Sequence, residues 1–196
     1  MTLSDITQEL ALAASLPVAV YSAVAIFLIK EILEWRRRSK ADRVKMRVMK
    51  SVLSHECERN NWFLKSLRSI AADFAYDQSP YIVQAGSSGR QSYEFHDGAE
   101  LRSGGSIPSL HLNAFEKFAV EAAYVDGEFA ELVREALDSL LEAQHLRNSL
   151  IEYSGDEMMQ DGFFPYAVGE LDRINAALSK LYMACSGAEL KDHRLR

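Results

Sequence analysis

Twenty uncharged and mostly apolar residues run from Leu10 to Ile29, and nine Lys or Arg follow between Lys30 and Lys50. As a helix, such a run is about 30 Å long, the thickness of a bilayer hydrocarbon core. The residues before it, Met1 to Glu9, contain two acids and no Lys or Arg. Positive charge therefore lies on one side only. The pattern predicts a single-pass protein of the inner (plasma) membrane: residues 1–9 outside, residues 10–29 as a transmembrane helix, and everything after Lys30 cytoplasmic. A cleaved signal peptide fits less well. The start is not basic, the apolar run is too long, and no small-x-small site follows it.

Residues 30–50 form a basic juxtamembrane segment, and the 146 residues from Ser51 to Arg196 suffice for one domain with its own core. The expected limits are 51–190 for a cytosolic helical domain with an insertion at 80–110, and 191–196 for a flexible tail. Charge is uneven: 13 basic residues against 23 acidic ones after position 50 leave a balance of −10. An acidic domain is a poor general nucleic-acid binder, because phosphate contacts dominate such affinity. The basic segment suits an anionic inner leaflet instead, so a lipid bilayer is the expected partner. Cys57 and Cys185 are the only cysteines. No metal-ligand cluster accompanies either one, and both are expected as buried thiols, with no metal and no cofactor.

The chain from Val18 to Ser79 has neither Gly nor Pro, and Val48, Val52, Phe63, Leu67, Ile70 and Phe74 are read as one helical face. The span is thus expected to continue into a long cytosolic helix. After Pro80, Tyr81-Ile82-Val83 and Tyr93-Glu94-Phe95 predict a small β-hairpin or ordered loop, and Arg102 to Ser106 reads as a Gly/Ser stretch. Asn113 with Glu116 suggests a capping box opening a helix. A second helix is expected from about Glu128 to Tyr153, with Leu132, Val133, Ala136, Leu137, Leu140, Leu141 and Ile151 inward, and a third from near Pro165 to Gly187, with Leu171, Ile174, Leu178, Leu181 and Cys185 on one stripe. The predicted fold class is all-α: one N-terminal transmembrane helix continuing into a cytosolic helical bundle with a small β-hairpin or loop insertion.

Two constellations stand out. Ala11, Ser15, Ala19 and Ala23 recur every four residues, a small-residue face through which a span self-associates, so a homo-oligomer is expected. The second is a polar gap in two apolar seams. Glu56 and Asn60, with Arg59 beside them, interrupt the first helix; Gln144 and Asn148, with Arg147 beside them, interrupt a seam of Val133, Leu137, Leu140 and Ile151. Buried polar groups need partners. If the two helices pack antiparallel, the six residues either form a structural network that fixes helix register, or line a site for a small phosphate-bearing ligand, for which Arg supplies paired donors. Gly86 to Arg90 and Arg102 to Ser106 lack Walker or dinucleotide spacing. His55 and His145 have no partner at i+4.

Arg147-Asn148 on a helix resembles the start of the Arg-Asn-x4-His motif of HEPN domains, helical modules that often act as ribonucleases. Tyr153 stands where the histidine belongs and has no imidazole for acid/base work. Arg90 and His96 have a suitable spacing but lack the Asn. The resemblance implies a non-cleaving helical module, and a span joined to one is similar in architecture to pore-type accessory proteins of bacterial RNA-targeting CRISPR systems. The sequence thus predicts a non-enzymatic membrane protein whose cytosolic domain senses a ligand or partner and signals to a self-associating span, as a pore-forming effector of antiviral defence would. The rivals are a passive membrane adaptor that localises a cytosolic protein and, least favoured, a membrane-tethered HEPN-like nuclease.

Overall fold

A computed structural model describes residues 18–77, 81–86, 90–97, 100–153 and 157–191. Its elements in chain order are helix α1 (Val18–Asp77), strands β1 (Tyr81–Ala85), β2 (Gln91–Asp97) and β3 (Glu100–Ser106), and helices α2 (Asn113–Ala123), α3 (Gly127–Glu152) and α4 (Glu157–Ser186). Backbone contacts divide the chain into two units, residues 1–45 and 46–196.

The first unit corrects the expected fold class. Among the described residues, no helix is long and apolar enough to cross a membrane. Only Val18 to Ile29 of the apolar run falls in α1, about 18 Å of helix. Any longer stretch of that helix takes in Lys30, Glu31 and Glu34, and charges at that density are costly in hydrocarbon. This finding overturns the transmembrane helix at 10–29 and, with it, the single-pass inner-membrane location with an outer N-terminus and a cytoplasmic C-terminus. Residues 10–17 of the expected span lie outside the described residues. Within α1, every described side chain from Val20 to Lys45 is exposed except those of Glu34 and Ser39, which are half-buried.

The second unit is a helical bundle with a small sheet. In α1 the buried positions Met49, Leu53, Glu56, Asn60, Phe63, Leu67 and Ile70 alternate by four and three residues, the spacing of one inward helical stripe. The stripe expected from sequence was out of phase at its start. Val48 and Val52 are 53% and 43% exposed, while Met49 and Leu53 are fully buried. Phe63 lies fourteen residues after Met49, two full heptads of four and three, and fifteen after Val48, which turns Val48 away from the core.

The α3 stripe differs in a similar way. Phe129, Val133, Ala136, Leu140, Ala143, Leu146 and Leu150 are buried, whereas Leu141 is exposed. Ala136 and Ala143 occupy inward positions where small side chains let neighbouring helices close in. In α4, Phe164, Ala167, Leu171, Ile174, Leu178 and Leu181 are buried at three and four spacing. Pro165 falls inside α4 and not at its start. Gly187, at φ 71°, ends it in the left-handed conformation, its N–H donating to the Met183 carbonyl at 2.8 Å.

The insertion is a three-stranded antiparallel sheet in the order β1-β2-β3. The third strand occupies the stretch read as Gly/Ser-rich loop. Gly104 and Gly105 permit it: a Cβ on Gly104 would stand 2.8 Å from the Tyr93 carbonyl oxygen, and one on Gly105 would press on the Tyr93 ring at 3.2 Å. Tyr93 and Val83 in turn pack against the bundle core.

The corrected phase of α1 is testable by truncation. Leu53→Ala should cost about 2–5 kcal/mol of stability, whereas Val52→Ala should cost within about 1 kcal/mol. Urea unfolding of the two variants, followed by helical circular dichroism, checks the contrast.

Candidate functional site

The polar residues of the bundle converge on one backbone segment, the connector Ile107–Leu112 that leads from β3 into α2. Asn60, fully buried on α1, holds His111 at both of its backbone groups. Its Nδ2 donates to the His111 carbonyl at 2.6 Å, and its Oδ1 accepts from the His111 N–H at 2.9 Å. One amide side chain thus replaces a pair of sheet hydrogen bonds. Four residues earlier on the same stripe, the Glu56 carboxylate accepts from the Ala114 N–H at 2.7 Å. That N–H belongs to the first turn of α2, where backbone donors have no partner within the helix. The Asn113 side chain makes no cap, so the expected capping box with Glu116 is not formed. Glu56 of α1 caps α2 from outside.

Arg147 grips the other end of the connector from α3. Its Nε donates to the Pro108 carbonyl at 2.9 Å, one Nη to the Gln91 side-chain oxygen on β2 at 2.8 Å, and the other Nη reaches Asn148 Oδ1 at 3.5 Å. Ile107 and Pro108 are buried beneath this contact, and the Ile107 N–H bonds the Gln91 carbonyl at 2.8 Å. The guanidinium therefore ties sheet, connector and α3 together through charge-assisted bonds.

Burial sets the electrostatics. Desolvation raises the Glu56 carboxyl above its ordinary value, against the opposing pull of the Ala114 N–H, the Arg59 charge and the Asn113 N–H. It lowers Arg147, and lowers His111, where the Arg59 charge acts in the same direction. Burial also pushes the Cys57 thiol strongly up, and Cys185 up to about 11, so both resist forming thiolates.

Of the six residues proposed as a polar site, Glu56, Asn60 and Arg147 share the connector, though they do not bond one another. Arg59, Gln144 and Asn148 are exposed. Gln144 stands one residue past Ala143 and Asn148 two past Leu146 of the α3 stripe, both on its solvent side. Of the small-residue face, Ala11 and Ser15 lie outside the described residues, Ala19 belongs to α1, and Ala23 is exposed on it. Tyr153, at the position of the HEPN histidine, packs edge-on against Phe163 at 5.1 Å between centroids. Among the described residues, no group of three or more His, Cys, Asp or Glu is placed to hold a metal ion. Sequence reading missed Gln91, Pro108 and His111, because two of the three contribute backbone carbonyls, which any residue type carries.

Asn60→Ala would orphan two half-buried backbone groups of His111, and Arg147→Ala would orphan the Pro108 carbonyl. Each should cost about 1–3 kcal/mol, read by thermal or urea unfolding. A pH test separates Glu56. The raised folded-state pKa means the folded protein holds this proton more tightly than the unfolded chain. The stabilisation is full below the ordinary value of 4.5 and is lost as pH rises through the folded value. Wild type should therefore lose stability relative to Glu56→Gln as pH is raised from about 4 to about 7; a constant difference between the two melting curves contradicts the assignment.

Compared with known proteins, the chain matches no family model, no curated protein and no solved structure.

Proposed function

We propose that the protein is a non-enzymatic association module, in which the bundle is a self-contained frame and the apolar part of α1 docks onto an apolar surface of another macromolecule. One observation carries this reading. Ten large apolar side chains between Val20 and Trp35 are each 40% to 69% exposed. Monomeric proteins rarely leave such a contiguous apolar surface in water, and where they do it marks an interaction site. The distribution of charge agrees, since Arg36, Arg37, Arg38, Lys40 and Arg43 follow at once and keep the next turns of the helix solvated.

The polar cluster supports the frame and not a ligand. Asn60 bonds the connector backbone, Glu56 the first turn of α2 that follows it, and Arg147 both the Pro108 carbonyl and the Gln91 side chain, as a network that fixes helix register does. This favours an adaptor over a sensor of small molecules. The HEPN-like pair is likewise engaged structurally, as Arg147 holds Pro108 and Gln91 while Tyr153 is packed on an aromatic ring.

The reading is tested on the full chain with a dye that fluoresces on apolar surface, together with light scattering for mass. Wild type should be either associated or dye-bright. A Phe27→Glu and Ile29→Glu double variant should lose both properties while the melting temperature of the bundle stays unchanged. A wild-type monomer that leaves the dye dark would overturn the proposal.

A further inference from the structure

The apolar stretch of α1 contains a seam with an internal symmetry. Tyr21, Val24, Leu28, Ile32 and Trp35 are 48%, 52%, 53%, 52% and 69% exposed, and their spacings are three, four, four and three residues. Steps of three and four residues put all five on one side of the helix. Because the spacing reads the same in both directions from Leu28, a two-fold axis through Leu28 maps the seam onto itself. Such a surface is self-complementary, as the isologous interface of a two-fold dimer requires.

Resting on the association reading above, we propose that the docking partner is a second copy of this chain, paired antiparallel along α1 about Leu28. In that arrangement Leu28 meets Leu28 of the second copy, Val24 meets Ile32, and Tyr21 meets Trp35, an aromatic pair at each end. Phe27 and Ile29 flank the seam. Of the ten exposed side chains, the five of the seam with Phe27 and Ile29 beside them face the second copy, while Ile26 and Leu33 lie on the opposite side of the helix and stay outside the pairing.

Charge decides the direction. A parallel pair would set two clusters of Arg36, Arg37, Arg38, Lys40 and Arg43 side by side at a helix separation of about 8–10 Å. The antiparallel pair moves Arg36 of the two copies about 24 Å apart along the axis, well beyond the screening length of about 8 Å. It also brings Glu31 and Glu34 level with Ala25 and Ser22 of the second copy, so no like charges face each other.

The test uses the full chain. Light scattering should give twice the chain mass of 22.0 kDa. Leu28→Glu should raise the dimer dissociation constant by at least about a hundredfold, because two like charges would meet at the axis, with the bundle melting as before. Direction is read by oxidising a mixture of Val24→Cys and Ile32→Cys proteins and mapping the cross-linked peptides. The expected product joins position 24 to position 32. Position 24 joined to 24 and 32 to 32 would show a parallel pair and overturn the proposal. So would a monomeric wild type, and the dye then separates the two ideas: a dye-bright monomer refutes only the second-copy partner, while a dye-dark one refutes the association reading too. A monomer that binds vesicles of anionic lipid would likewise replace the second copy with a lipid surface.

Discussion

The bundle depends on how one backbone segment is held between two helices. The connector Ile107–Leu112 passes between β3 and α2 without secondary structure of its own; Ile107 and Pro108 are buried and Leu110 to Leu112 half-buried, and backbone groups withdrawn from water there must find partners. Asn60 serves both groups of His111, Glu56 serves the first turn of α2, and Arg147 serves Pro108. Each is costly to bury alone. Together they fix the start of α2 relative to α1 and α3, and hence the depth at which Phe115 and Phe118 enter the core.

Other polar contacts add less. The bidentate pair of Arg68 with Asp172 at 2.6 and 3.0 Å joins α1 to α4, and Lys180 with Glu135 at 3.0 Å joins α4 to α3. Both are largely exposed, where ion pairs contribute about 0–1 kcal/mol. Tyr182, buried except for 7% of its surface, donates to Glu58 at 3.0 Å and gives α4 a further polar anchor on α1.

Much of the helical pattern was legible in the sequence, and the errors have a common cause. The α4 stripe from Leu171 to Leu181 was readable because bulky residues recur there without competitors. In α1 and α3, valines and leucines also occupy positions one residue off the core phase, at Val48, Val52 and Leu141, while Ala143 holds an inward position that hydropathy alone ranks no higher. Glu56 and Asn60 were readable as inward polar residues from their place in the α1 spacing. Their partners were not, because a carbonyl or N–H leaves no mark on residue type. Strand β3 was missed because its glycines signal a loop by propensity, and their use under Tyr93 is a tertiary contact. The expected span failed for a different reason: length and hydropathy were counted over Leu10 to Ile29 as one unit, whereas the described helix contains only the last twelve of those residues before charge returns at Lys30.

The central claim is that side chains of α1 and α3 hold the connector as firmly as helices hold their own backbone, and hydrogen–deuterium exchange at single amides tests it most directly. The His111 N–H, bonded to Asn60, and the Ala114 N–H, bonded to Glu56 in a first helical turn, would both exchange fast in an unsupported loop. The account predicts that both exchange as slowly as core amides of α3 near Leu140. Exchange of these two amides at the rate of an unprotected backbone amide would contradict it.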